Sequence, residues 1–132
     1  MTRDRLGTGF TTGGTVTYGA LTVRALGLVP AIVTSAGPAL ISSLPDTNTH
    51  VVEAACSTAF RNEYGPSGRT QHVDGIATPL SLSDVPRDWH GARSVLLGPV
   101  VGEVSVDLAR HFPNALMIAS LQGWLRRWDS IG

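Results

Sequence analysis

The stretch "TTGGTVTYGALTVRALG", residues 11–27, sets two glycines directly before an apolar run at helical spacing. Val16, Ala20, Leu21, Val23, Ala25 and Leu26 include recurrences at i+3 and i+4, which predict a helix from Thr15 to Leu26, and Gly27 supplies its C-terminal stop. Gly13 and Gly14 carry two readings. Glycine costs least where φ is positive, so the pair suits a tight entry into the helix. It also lets a backbone come close to a ligand, with the amides of a helix N-terminus free to donate.

Outward from this stretch, "PAIVTSAG" (30–37), "SVLLGP" (94–99) and "ALMIAS" (115–120) are short continuous apolar runs of the kind found in buried parallel strands. "GPALISSLP" (37–45) predicts a short helix or turn closed by Pro45, and "SLSDVPRDW" (81–89) a loop with one helical turn. "SVDLARHFP" (105–113) predicts a helix with Ser105 as N-cap, Leu108, Ala109 and Phe112 on one face, and Pro113 as the stop. Between them, 49–75 is extended in character, with "GPSG" (65–68) joining polar flanks, and predicts a hairpin projecting from the sheet edge. The alternation of strand and helix implies a single α/β domain with a mostly parallel, Rossmann-type sheet and flanking helices.

Composition narrows the chemistry. The 132 residues have 42% hydrophobic content, 15% charged residues and a formal net charge of zero, enough for a packed core. Neither a basic stripe for nucleic acid nor a polybasic cluster for a membrane surface is present. All ten basic residues are arginine. Without lysine there is no Walker A loop, no Schiff-base chemistry and no Ser-x-x-Lys hydrolase. His50, His72, His90 and His111 form no His-x-x-x-His pair, the G-x-S-x-G elbow is absent, and no metal site is expected. Cys56, the single cysteine, is expected as a small buried side chain. No apolar signal-peptide core follows "MTRDRLGTG", and a cytoplasmic location is expected.

"GGTVTYGALTVRALGLVPAIVTSAG", "TAFRNEYGPSGRTQHV", "SVLLGPVVGEVSVDLARHFP" and "QGWLRRWD" together resemble, over nearly the whole chain, the ribokinase-like, PfkB-type carbohydrate kinases. The first resembles that family's Gly-Gly signature and the second its lid hairpin. The resemblance implies an ATP-dependent phosphoryl transfer to a hydroxyl of a sugar or nucleoside, with Mg²⁺ on the phosphates. It also implies an N-terminal half only, lacking the opening strand, with Asp4 where the family places a sugar-gripping acidic residue. The family's Gly-Ala-Gly-Asp loop, which supplies base and phosphate cradle, is not in the sequence, and none of the seven aspartates stands in such a context. Hence no catalytic residue is assigned, and neither ATP nor Mg²⁺ is expected to bind this chain tightly.

The substrate-binding candidates are Asp4, Gly13, Gly14, Tyr18, Arg61, Gly98, Glu103 and Gln122. A carboxylate such as Asp4 can grip vicinal hydroxyls. Tyr18 takes the helix position usually held by a sugar-binding Asn, and packing is its plainer role. Arg61, with Asn62 and Arg69, lies on the hairpin, where charges also serve to keep a sheet edge soluble. Gly98 and Glu103 follow one apolar strand and Gln122 another, at strand ends where open α/β sheets bind ligands. Two readings remain open: the sugar-holding part of a kinase, inactive alone, or a non-catalytic α/β ligand-binding module that forms a homodimer through its hairpin. Open strand edges such as "ALMIAS" are expected to promote self-association.

Overall fold

A computed structural model describes residues 1–6, 9–41 and 48–128. The helix that the opening stretch predicts is present as α1 (Thr15–Ala25), buried through Thr17 and Ala20. Gly14 starts it at φ +85°, ψ 161°, a conformation essentially confined to glycine. The other end is a Schellman motif. Gly27, at φ +77°, donates from its N–H to Arg24 O, while Leu28 N–H reaches Val23 O.

Eight strands form three sheets among the described residues. β1 (Thr2–Leu6) and β2 (Gly9–Gly13) are an antiparallel pair, with Thr2 opposite Gly13 and Asp4 opposite Thr11. β5 (Ala59–Gly65) and β6 (Gly68–Gly75) form the projecting hairpin, and β5 joins β1 in parallel to give the order β2-β1-β5-β6. β3 (Ala31–Ala36) pairs in parallel with β4 (Asn48–Glu53), and β7 (Ser94–Leu97) with β8 (Leu116–Ala119). Every strand pair outside the two hairpins is therefore parallel. Two short helices, α2 (Pro38–Ile41) and α3 (Gln122–Leu125), follow β3 and β8. No described helix is long and apolar enough to cross a membrane.

Four expectations are corrected. Residues 2–6, for which no strand is expected, are β1, flanked on both edges by β2 and β5. The hairpin begins at Ala59 rather than near 49, because 48–53 pairs with β3 instead. A short β-branched run carries no mark of which neighbour it will join. Residues 106–111 wind as a 3-10 helix, closed by i→i+3 bonds such as Leu108 N–H to Ser105 O, although Ser105 caps it as expected by accepting from Asp107 N–H at 3.2 Å. Cys56 is exposed, its thiol on Ile76 O at 3.4 Å, because it lies in the irregular link between β4 and β5. The Pro45 stop falls outside the described residues.

One core cluster gathers Met1, Ala36 and Leu40, with Val16 and Val51 packed against it. Around β7 lie Leu97, Val100, Val104 and Phe112, all buried. The α1–β7 contact is tight: a Cβ on Gly19 would come within 2.7 Å of Leu96 Cδ2. Gly19 costs its helix about 1 kcal/mol relative to alanine, and that contact explains its presence.

Burial pushes the Met1 ammonium below its ordinary value of 8.0, with the Glu103 carboxylate opposing the shift. A depressed folded-state value means the unfolded chain takes up the proton first as pH falls. The associated stability is complete above pH 8.0 and declines below it, through the lowered folded-state value. Urea titrations at about pH 8.5 and about pH 6.5 should show the higher stability at the alkaline end. Acetylating the amine should flatten that part of the profile.

Candidate functional site

The two glycines have separate jobs, and a carboxylate explains the first. Period two along β1 puts Thr2 and Asp4 on one face, while Arg3 stacks on Phe10, 3.6 Å from the ring centroid. Thr2 Oγ1 donates to Asp4 Oδ1 at 3.0 Å. A Cβ on Gly13 would sit 2.4 Å from Asp4 Oδ2, so the half-buried carboxylate occupies the space a side chain there would fill. Gly14 turns the chain over Thr2, whose Cγ2 and backbone N lie 3.1 and 3.2 Å from the same construction. Thr17 Oγ1 donates to Gly13 O at 2.6 Å, locking the hairpin strand to the helix. Among the described residues no side chain caps the N-terminus of α1, so the start of this helix stays available beside an acidic group.

The same helix end meets the C-terminal ends of two parallel strands. Gly98, just after β7, would place a Cβ 3.1 Å from Thr15 Cβ. Thr15 Oγ1 also reaches Ser120 Oγ, just after β8, at 3.4 Å. Asp4, Gly13, Gly14 and Gly98 are thus gathered around one helix N-terminus at strand ends, where open α/β sheets take their ligands.

Of the other expected residues, Glu103, Arg61 and Gln122 have side-chain partners in the protein. Glu103 caps a turn: its carboxylate accepts from Val100 N–H at 3.1 Å and Val101 N–H at 2.8 Å. Arg61 is paired with Glu63 and lies 3.5 Å from Asp74. Tyr18 is exposed on α1, one turn beyond Gly14, whose carbonyl its N–H meets at 3.3 Å. With its oxygen turned to Arg126, the Gln122 amide accepts from both guanidinium nitrogens, at 2.9 and 3.2 Å. Arg126 in turn lies 5.8 Å over Phe60 and 5.7 Å over Trp128. Burial, with Arg69 nearby, lowers its pKa from the ordinary guanidinium value. Phe60 is opposite Asp4 in the β1–β5 register, which brings this aromatic and cationic group to the same sheet. Among the described residues no three of His, Cys, Asp and Glu gather as a metal site.

Thr2 and Ser120 escaped the sequence, whereas Gly123 stands with Gln122 after an apolar strand. Gly123 N–H donates to Pro99 O at 3.1 Å, and a Cβ on Gly123 would come within 2.5 Å of the Pro99–Val100 peptide. For Thr2 a signal existed, since reading 2–6 as a strand puts it beside Asp4. For Ser120 none did, because its partner Thr15 lies 105 residues away in sequence.

No protein-family model matches the chain, and no curated protein matches it in sequence. Solved structures do. A sulfate complex of a pyrophosphate-dependent kinase in the ribokinase family is 23% identical with a TM-score of 0.75, covering 98% of this chain and 50% of that one. A pyrophosphate-dependent kinase of the same family, complexed with a pyrophosphate analog and myo-inositol, is 22% identical with a TM-score of 0.72, covering 95% and 47%. A mutant converting a pyrophosphate-dependent myo-inositol-1 kinase into a myo-inositol-3 kinase is 20% identical with a TM-score of 0.74, covering 98% and 48%. The fold is ribokinase-like, mixed α/β and mostly parallel, and the chain spans about half the length of these neighbours.

Gly13→Ala should force the Asp4 carboxylate out of place. Chemical denaturation of Gly13→Ala, Asp4→Ala and the double variant should give a coupling of about 1–2 kcal/mol, with alanine at 13 better tolerated once the carboxylate is gone. Gly123→Ala meets backbone rather than a side-chain tip, so it should cost about 1–3 kcal/mol with no such rescue by Asp4→Ala.

Proposed function

We propose that this chain forms the acceptor side of a ribokinase-type kinase, holding a polyhydroxylated ring at the N-terminus of α1. The carrying observation is the Asp4 carboxylate seated over Gly13 beside an uncapped helix start and the ends of β7 and β8. A carboxylate has about four acceptor positions; Thr2 uses one in this structure. The remainder can accept from vicinal hydroxyls, while the backbone at the helix start donates to ring oxygens. A cyclic polyol or sugar fits this pattern, and the myo-inositol complexed with one structural neighbour supports that class. A nucleoside ribose offers the same vicinal diol.

Phosphoryl transfer itself needs a base, a donor pocket and charge neutralisation on the phosphates. In this reading those come from residues outside the 132, since no aspartate here stands in a Gly-Asp phosphate-loop context. ATP with Mg²⁺, or pyrophosphate as in the structural neighbours, would be the donor of the complete assembly. The isolated chain binds acceptor without turning either donor over. Fold likeness alone does not fix chemistry, so the reading stands on the carboxylate site. The binding-module reading keeps one support: β6 is an edge strand and 65–70 at the hairpin tip are exposed, a surface on which two copies could pair.

Calorimetry with myo-inositol, ribose and adenosine should detect binding of at least one. Asp4→Asn should weaken it at least about tenfold, the worth of a charge-assisted hydrogen bond. Absence of binding to all three, with a dimeric mass in light scattering, would favour the module. Phosphorylated product from ATP or pyrophosphate would overturn the division of labour.

A further inference from the structure

Alternate residues of a strand share a face, and directly paired residues on neighbouring strands share it too. This sorts the β1, β5 and β6 part of the four-stranded sheet into two unlike faces. Arg61, Glu63, His72 and Asp74 take one of them. Arg61 is paired with Glu63 and lies 3.5 Å from Asp74, and His72 lies 3.5 Å from Glu63. The acids of the hairpin are committed there. Phe60, Asn62 and Tyr64 take the other face, opposite Val73, Gln71 and Arg69. Asp4 joins that face through its register with Phe60.

On this second face positive charge gathers without an acid to pair it. Arg126, at the end of α3, stands 5.8 Å over the Phe60 ring and 5.7 Å over that of Trp128. Arg69 approaches it from the hairpin: burial first, and the charge of Arg69 second, lower the Arg126 pKa. Among the described residues neither arginine is in an ion pair. Between Phe60 and Arg69 on the sheet stands an uncharged amide pair, Gln71 Nε2 donating to Asn62 Oδ1 at 2.9 Å. Trp128 Nε1 is buried in the same cluster and has no acceptor among the described residues. Two like charges and an unmet donor, brought together out of water, call for an anion with several acceptor oxygens.

We propose that the acceptor held at Asp4 is a phosphorylated polyol, its phosphate monoester seated between Arg126 and Arg69 while its vicinal hydroxyls meet the Asp4 carboxylate. This rests on the acceptor reading above and names its substrate class. A phosphate monoester carries close to two negative charges at neutral pH, which two guanidiniums match; a carboxylate would match only one. Guanidinium forks present paired N–H groups to phosphate oxygens, and a further oxygen can accept from Trp128 Nε1. Gln122 is a positioning residue in this arrangement. Its amide oxygen takes one N–H from each terminal nitrogen of Arg126, which fixes the plane of the fork and leaves the remaining N–H groups for the ligand.

Calorimetry on the 132-residue chain compares matched pairs: myo-inositol with myo-inositol 1-phosphate, and ribose with ribose 5-phosphate. In at least one pair the phosphorylated member should bind at least about tenfold tighter, an advantage that added salt reduces. Arg126→Gln should bring that ratio close to one, and Arg126→Lys should restore part of it. Arg69 is exposed, so Arg69→Gln leaves the core untouched and should still cut the ratio. Asp4→Asn should weaken both members of the pair and preserve the ratio between them. A ratio near one in both pairs, with the polyols bound, overturns this inference alone and leaves the acceptor reading standing. No binding of any of the four overturns both. Inorganic phosphate or pyrophosphate bound as tightly as the polyol phosphate, with the same dependence on the two arginines, assigns them to a different anion and also overturns the proposal.

Discussion

The close approach of α1 to the end of β7 is the constraint on which the rest of the structure depends. Two glycines permit it: Gly98 faces the first turn of the helix, and Gly19 faces Leu96 one turn later. A Cβ at Gly98 would crowd Thr15 and Val16 of the helix, and one at Gly19 would displace the Leu96 side chain. The helix is tied in turn to Gly13, whose carbonyl accepts from Thr17. The helix start, the β1–β2 hairpin and the strand ends are consequently one mechanical unit. Close-packed interiors transmit such displacements rather than absorbing them.

That unit places a carboxylate beside the helix start, at the acceptor site of the proposed reading. Asp4 belongs to an ordinary strand position, yet its oxygen fills the volume that glycine leaves empty on the neighbouring strand. Thr2 beneath it supplies a hydrogen bond and the surface over which Gly14 turns. Glu103 and Gln122, by contrast, are engaged in holding a turn and an arginine. Their neighbourhood supports the strand ends while Asp4 retains acceptor capacity at the helix start. In the proposed reading the chemistry concentrates on one acidic group with backbone donors nearby, an arrangement suited to hydroxyls. The Arg126, Phe60 and Trp128 cluster adds a cation on the same sheet.

The sheet interior has a different character. Two parallel strand pairs face each other across an apolar space rather than bonding together. Parallel sheets are ordinarily covered on both faces and continuous between them. Here the covering layers are in place, α1 on one side and the segment around Trp89 and Phe112 among the walls, while the ladder itself is interrupted. The Met1 amine is buried at the margin of that interruption, and its lowered pKa records the cost of charge in an apolar setting.

Local pattern by itself determined α1, its Gly27 stop, the apolar strands near 31–36, 94–97 and 116–119, and the tip of the hairpin at 65–68. Each of these depends on periodicity or on a residue with a fixed backbone preference, and such signals are complete within about ten residues. The lack of lysine likewise excluded whole classes of chemistry without any coordinates. Tertiary structure alone decided which strand 48–53 would join, that charged "TRDRL" would be an interior strand of its sheet, and that Gly13 exists to admit Asp4. It also decided that Glu103 would spend its carboxylate on Val100 and Val101. Strand pairing uses backbone groups that every residue carries, so a strand's sequence does not name its partner. A close approach is a property of two segments at once, and neither segment records the other.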